Sequence, residues 1–200
     1  GNTVVLKPSP YTPLATVMLS EICAEAFPPG VVNILTGPDS LGQQIVEHPD
    51  IKHITFTGSS PTGKKIMATG AASLKKVTLE LGGNDPAIVL PNTDVKGIAP
   101  DIFAKAMVNT GQVCGAIKRV FVHEDQYEEM AAELGKHANQ AKFGDGMDEG
   151  MEFGPINNEM QYARVNELVE DAKTRGATVV AGGSPMNLPG KHADGYFFAP

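Results

Sequence analysis

Ile51-Lys52-His53-Ile54-Thr55-Phe56-Thr57-Gly58-Ser59-Ser60-Pro61-Thr62-Gly63-Lys64-Lys65 is the stretch whose reading decides the fold. Ile51 to Phe56 is β-branched and apolar enough for a strand, and Gly58 to Pro61 punctuates it. A helix is predicted from about Thr62 to Thr69, and a second strand from Lys75 to Leu79. Strand, helix and strand in that order form a crossover unit. Crossovers are right-handed and place the two strands parallel.

The same alternation extends upstream. Thr3 to Leu6 reads as a strand, followed by the turn Lys7-Pro8-Ser9-Pro10. Thr12 as N-cap with Pro13 at the first helical position predicts a helix to about Phe27, where Pro28-Pro29-Gly30 ends it. Val31 to Leu35 reads as a strand and Leu41 to His48 as a short helix. Gly82-Gly83 interrupts the series and marks a candidate hinge. Beyond it the reading is a strand (Ala87 to Leu90), a helix (Asp94 to about Asn109) and a strand (Arg119 to His123). A helix (Asp125 to Ala141) follows, then the Gly- and acid-rich loop Gly144 to Gly154. Asn158 to Arg175 reads as an amphipathic helix carrying Met160, Val165, Leu168 and Val169. Ala177 to Ala181 reads as a last strand, and Gly182 to Asp194 is turn-rich. The fold class is therefore α/β, with doubly wound parallel sheets in two lobes. Ligands of such sheets bind at the carboxyl ends of the strands.

Composition narrows the function classes. The chain has 200 residues, 42% hydrophobic and 20% charged, an ordinary globular balance. A net charge of −7 argues against nucleic acid or an anionic membrane as partner, since either calls for a basic face. No apolar run approaches the roughly 18 residues of a membrane span. The N-terminus does not read as a signal peptide, so a cytoplasmic location is expected, or an organelle reached by a targeting segment outside this chain. The cysteines are Cys23 and Cys114, too few for a secreted disulfide framework. Cys23 falls on a helical stripe with Leu14, Val17, Met18, Ile22 and Ala26 and reads as core. His48, His53, His123, His137 and His192 show no metal-ligand spacing, and no metal is expected.

Three motifs carry chemistry. Cys114 ends Asn109-Thr110-Gly111-Gln112-Val113-Cys114, just after a helix end. A cysteine taken alone is most often structural. A thiol on such a turn, however, is solvent-reachable and lies near backbone N–H groups able to stabilise an oxyanion. Glu80 lies in Thr78-Leu79-Glu80-Leu81-Gly82-Gly83. It reads either as an exposed strand-end carboxylate or as a base able to activate water, and the glycines allow a ligand or another backbone to come close. The Gly58 to Lys65 loop nearly fits the phosphate-loop pattern, but Lys65 stands where a hydroxyl would hold magnesium, and Pro61 removes an N–H donor. A phosphate-loop NTPase is thus a minor alternative, and a plain strand-turn-helix junction is another.

Taken together these strings resemble the NAD(P)-dependent aldehyde dehydrogenase superfamily. Gly111-Gln112-Val113-Cys114 with Arg119 five positions on, Leu79 to Val89, and Phe56-Thr57-Gly58-Ser59 with Gly63 match its motifs in order, from Lys7 to Gly195-Tyr196-Phe197-Phe198. The resemblance implies oxidation of an aldehyde to a carboxylic acid, with Cys114 as nucleophile and Glu80 as base for thioester hydrolysis. Relatives that pass the acyl group to coenzyme A usually lack that glutamate. It further implies NAD or NADP contacts at Lys7, Gly37, Gly58, Ser59, Gly63, Leu81 and Gln161. Pro10 stands where the family often has glutamate, which leaves the choice of cofactor open. By the same resemblance, residues 1–81 belong to a dinucleotide-binding domain and residues 82–200 to the catalytic domain, both incomplete. The asparagine of the oxyanion hole is expected before Gly1 and the ribose-binding glutamate after Pro200, so this segment by itself is expected to be inactive. A homo-oligomer is expected at full length. A non-catalytic nucleotide-binding fragment is the alternative.

Overall fold

The computed structural model describes residues 1–200, which divide into two compact units, Gly1–Gly82 and Gly83–Pro200. The first runs β1 (Val4–Leu6), α1 (Leu14–Ala26), β2 (Val32–Ile34), α2 (Asp39–Glu47), β3 (His53–Thr57), α3 (Ser60–Ala71) and β4 (Lys76–Glu80). β1 pairs with β2 in parallel, Val4 to Val32 through Leu6 to Ile34. β3 pairs with β4 in parallel, His53 to Lys76 through Thr57 to Glu80. Each pair is a strand-helix-strand crossover. β2 and β3 do not share a ladder, so hydrogen bonding stays within two-stranded pairs.

α3 starts two residues before the sequence expectation. Ser59 is its N-cap, the hydroxyl accepting from the Thr62 N–H at 3.3 Å, and Pro61 fits the first turn because no helical bond needs its N–H. α1 starts later than expected, with Pro13 at the cap and no side-chain capping bond. Ser9 organises the preceding turn instead, accepting from the Tyr11 N–H at its hydroxyl and the Thr12 N–H at its carbonyl. The expectation of a buried stripe on α1 is corrected. No residue of α1 is buried; Leu14, Met18 and Ile22 are exposed and Cys23 is half-buried. An apolar stripe is buried only where another element covers it, and α1 packs chiefly on the short β2.

The second unit runs β5 (Asp85–Val89), α4 (Val95–Met107), β6 (Ile117–Val122), α5 (Tyr127–Gln140) and α6 (Glu159–Thr174). β5 and β6 are parallel and α4 crosses between them. Asp94 caps α4 by accepting from the Gly97 N–H at 3.1 Å. Val89, Val95, Ala99, Ile102 and Met130 form the core, which joins β5, α4 and α5. Asn158 caps α6, but that helix buries nothing fully: Val165 and Val169 are half-buried while Met160 and Leu168 are exposed, against the expected stripe. Ala177 to Ala181 is not a strand, because no neighbour supplies a ladder for it. The loop from Gly144 to Gly154 closes on itself through Gly144 N–H to Phe153 O and Phe153 N–H to Lys142 O, both at 3.0 Å.

Candidate active site

The Cys114 turn is built from strain and the bonds that hold it. α4 ends at Met107, and Asn109 (φ 51°), Thr110 (φ 57°) and Gly111 (φ 73°) are all left-handed. Left-handed backbone costs an L-residue about 1–2 kcal/mol, and a β-branched threonine there is a true outlier. Such residues persist where their surroundings over-determine them. Here Thr110 donates its hydroxyl to Gly154 O at 3.3 Å. Gln112 uses both ends of its amide. Nε2 donates to Asn109 O at 3.2 Å and Pro155 O at 3.4 Å, while Oε1 accepts the Asn157 N–H at 2.8 Å. The reversed chain then presents Cys114 exposed to solvent. Gly83 passes close behind it, since a Cβ there would stand 2.6 Å from Cys114 O. Arg119 donates from Nε to Asn84 O at 2.8 Å and lies over the Phe121 ring, fastening the start of β5 to β6.

In the first unit Glu80 ends β4, exposed, and its carbonyl accepts the Gly58 N–H at 3.0 Å. That bond extends the β3–β4 ladder by one step and holds Gly58 beside Glu80 on the carboxyl ends of the strands. Gly63 is buried against Leu81 and Leu79; a Cβ would meet Leu81 Cδ2 at 2.8 Å, so glycine is what lets α3 lie this close to β4. Gly58, Ser59, Gly63, Glu80 and Leu81 are thus neighbours. Lys7 and Gly37 form a second group, after β1 and β2. Lys7 is half-buried, with Nζ donating to Pro8 O at 2.9 Å, and its stem runs beside Gly42 of α2. A cavity of about 180 Å³ here is lined by Pro8, Ser9, Pro10, Pro13, Thr36 and Gly37. Gln161 is exposed in the first turn of α6, its N–H donating to the Asn158 cap.

Within the first unit, the residues after β1 and β2 and at the start of α3 offer a dinucleotide few donors. At the start of α3, Thr62 gives its N–H to Ser59 and Pro61 has none, which leaves the Ser60 N–H as a donor no helical bond can use. The Ser59 hydroxyl, bonded to Thr62 Oγ1 at 2.9 Å, is oriented toward the helix it caps. No acidic side chain is among the lining residues of the Pro8–Gly37 cavity. Groups of three or more His, Cys, Asp or Glu side chains that could hold a metal do not occur. No helix is long and apolar enough to cross a membrane. The motif showed Gln112 as a pattern member but not its bonds to Pro155 and Asn157, which lie far along the chain.

Residues 1–200 match the model of the aldehyde dehydrogenase family. The chain is 42% identical over 203 residues to the putative aldehyde dehydrogenase DhaS of Bacillus subtilis (strain 168), covering 100% of this chain and 40% of that one. It is 39% identical over 203 residues to 4-trimethylaminobutyraldehyde dehydrogenase of Homo sapiens, covering 100% and 41%. Among solved structures, the NAD+ complex of an aldehyde dehydrogenase from Bacillus cereus superposes with a TM-score of 0.94 at 44% identity, over 99% of this chain and 40% of that one. A mutant of aldehyde dehydrogenase C from Pseudomonas syringae, in complex with NAD+ and octanal, gives 0.94 at 35% identity, over 99% and 41%. This chain spans about two-fifths of the length of these relatives.

Proposed function

The chain belongs to the aldehyde dehydrogenase family, and on that premise we propose that its protein oxidises an aldehyde to the carboxylic acid, with NAD or NADP as hydride acceptor. One observation carries the reading: Cys114 is exposed at the end of a turn whose strained backbone is tied down at Gly154, Pro155 and Asn157. A nucleophile held this way meets its substrate without first ordering its own loop.

In this reading the Cys114 sulfur adds to the aldehyde carbon. A C–S bond forms, the C=O π pair moves onto oxygen, and backbone N–H groups of the turn stabilise that charge. When bound, the nicotinamide supplies the acceptor for the substrate's hydride. The carbonyl then re-forms as a thioester on Cys114. Glu80 takes a proton from water, whose oxygen attacks the thioester and releases the acid and the thiolate. The α3 N-terminus and the Pro8–Gly37 cavity hold the dinucleotide, with Lys7, Gly37, Gly58, Ser59, Gly63, Leu81 and Gln161 as contacts. The absence of an acidic residue from the cavity lining leaves a 2′-phosphate unopposed. NADP therefore stands beside NAD. Octanal bound to the Pseudomonas syringae relative supports a small aldehyde as substrate. A cytoplasmic homo-oligomer belongs to the same reading; relatives also include a mitochondrial enzyme of Leishmania tarentolae and a chloroplastic one of Atriplex hortensis.

The test is aldehyde-dependent reduction of NAD and NADP by the intact protein. Replacing Cys114 with Ala is expected to abolish it. Turnover retained in that variant would refute the assignment.

A further inference from the structure

Lys118 is the second residue of β6, and its side chain turns back onto the Cys114 turn. Nζ lies 2.8 Å from Cys114 O, 2.8 Å from Ala116 O and 3.2 Å from Val113 O. An ammonium has three N–H donors, so this cage of three carbonyls occupies all of them. Asp85 of β5 adds an opposite charge at 3.8 Å. The Ala116 N–H also closes onto Val113 O at 3.2 Å, so the turn folds around the cation.

The consequence follows from peptide geometry. In a trans peptide the carbonyl and the next N–H point to opposite sides, and this chain has no cis peptide. With the Val113 carbonyl aimed at the ammonium, the Cys114 N–H points away from it. With the Cys114 carbonyl aimed there too, so does the Gly115 N–H. Neither N–H donates to any acceptor within the chain. Two free donors therefore flank the thiol-bearing residue, each on a peptide plane whose other end is fixed by the same cation. A cation on the carbonyl side also polarises the peptide group and strengthens its N–H as a donor.

We propose that Lys118 is a positioning residue: seated in the carbonyls of Val113, Cys114 and Ala116, it holds the Cys114 and Gly115 N–H groups toward the oxyanion formed when the Cys114 sulfur adds to an aldehyde. This rests on the dehydrogenase reading above. The oxyanion exists only after attack, so the alignment acts on kcat and leaves substrate binding alone.

The experiment compares Lys118→Met and Lys118→Arg with the wild type in the intact protein. It measures kcat and KM for an aldehyde, the rate of Cys114 alkylation by iodoacetamide, and the unfolding temperature. Methionine keeps the stem and removes the cation. Deleting an oxyanion donor outright costs about 10²–10³ in kcat, and misaligning two is expected to cost about 10- to 100-fold. KM and the alkylation rate are expected to stay within about threefold, because alkylation needs the thiol and no oxyanion. Arginine keeps the charge but spreads its donors over a planar fork, so a smaller loss of about three- to tenfold is expected. Wild-type kcat in Lys118→Met overturns the proposal and leaves the dehydrogenase reading standing. So does a parallel fall in kcat and alkylation rate, which marks a disordered loop. If Lys118→Met does not fold, Lys118→Arg decides by the same criteria. A wild type that reduces neither NAD nor NADP with any aldehyde overturns both readings.

Discussion

Replacing Gln112 with Ala tests how the left-handed turn before Cys114 is held. The substitution removes three contacts: Asn157 N–H to Oε1 at 2.8 Å, and Nε2 to Asn109 O at 3.2 Å and to Pro155 O at 3.4 Å. Gln112 is exposed, so each is taken at the low end of hydrogen-bond worth, about 1 kcal/mol for the short one and about 0.5 for each longer one. The sum is about 2 kcal/mol, roughly a 30-fold shift in the local opening equilibrium. The strain at Asn109 and Thr110 acts in the same direction, because freed residues relax to right-handed backbone. Amide exchange is the direct assay. The backbone N–H at position 112, which donates to Asn109 O at 3.1 Å and keeps that acceptor in the variant, is expected to exchange about 30-fold faster, while amides of the buried β5–α4–α5 core keep their rates, since the turn opens without unfolding the unit. Turnover is expected to fall by a similar factor with little change in unfolding temperature. Exchange of the position-112 N–H within a factor of about three of wild type would refute the argument that Gln112 holds the turn.

Three further outcomes follow from other parts of the chain. Pro100 lies inside α4, where its ring excludes the bond to Lys96 O; Pro100→Ala restores that bond and is expected to stabilise the second unit by about 2 kcal/mol, after the added freedom of the unfolded chain is subtracted. Thermal unfolding checks it, and an unchanged or lower midpoint counts against it. Glu80→Gln is expected to spare one round of cofactor reduction and accumulate an acyl adduct on Cys114, read by intact mass; no adduct during a stalled reaction would remove Glu80 from the hydrolytic step. The third concerns the loop from Gly144 to Gly154, tied to the 190–192 turn by Lys191 Nζ to Asp148 Oδ1 at 2.8 Å. The hydrogen bond from Lys191 is the largest cause holding the Asp148 carboxyl below its ordinary 3.8, and the same bond raises Lys191 above 10.5. Asp148 is lowered on folding, so its contribution is present above 3.8 and lost as pH falls through the folded value. Lys191 is raised, so its contribution is present below 10.5 and lost as pH rises beyond. Amide protection across residues 144–154, taken relative to the intrinsic exchange rate at each pH, is therefore expected to fall at both extremes, and a Lys191→Ala variant to lose the alkaline fall and keep only the part of the acid one that His192 sustains at 3.5 Å from Asp148.

The extent to which the sequence was legible differs between elements for physical reasons. Ser59, Asp94 and Asn158 act within one turn of themselves, and their caps fix helix starts to within about two residues of the pattern. Ser9 shows the limit of that rule. Its hydroxyl and carbonyl close the turn first, and α1 begins at Leu14 with Thr12 left out. The stripe on α1 and the one on α6 are alike in period to the core face of α4. Nevertheless Leu14, Met18, Met160 and Leu168 are exposed, while Val95, Ala99 and Ile102 are buried. Periodicity specifies which residues share a face, and burial needs a second surface that the period does not encode.

The site divides in the same way. Local chemistry, written in the order of residues, determined the α/β alternation, the parallel pairing and the turn that carries Cys114, because strand period, glycine and proline act on their nearest neighbours. Tertiary structure alone decided what holds that turn from outside, namely Gly154, Pro155 and Asn157 from another loop. It also decided that Ala177 to Ala181 has no ladder and that Cys23 is half-buried. A hydrogen bond or a buried face requires a partner, and partners distant along the chain are set by packing, which no local pattern records.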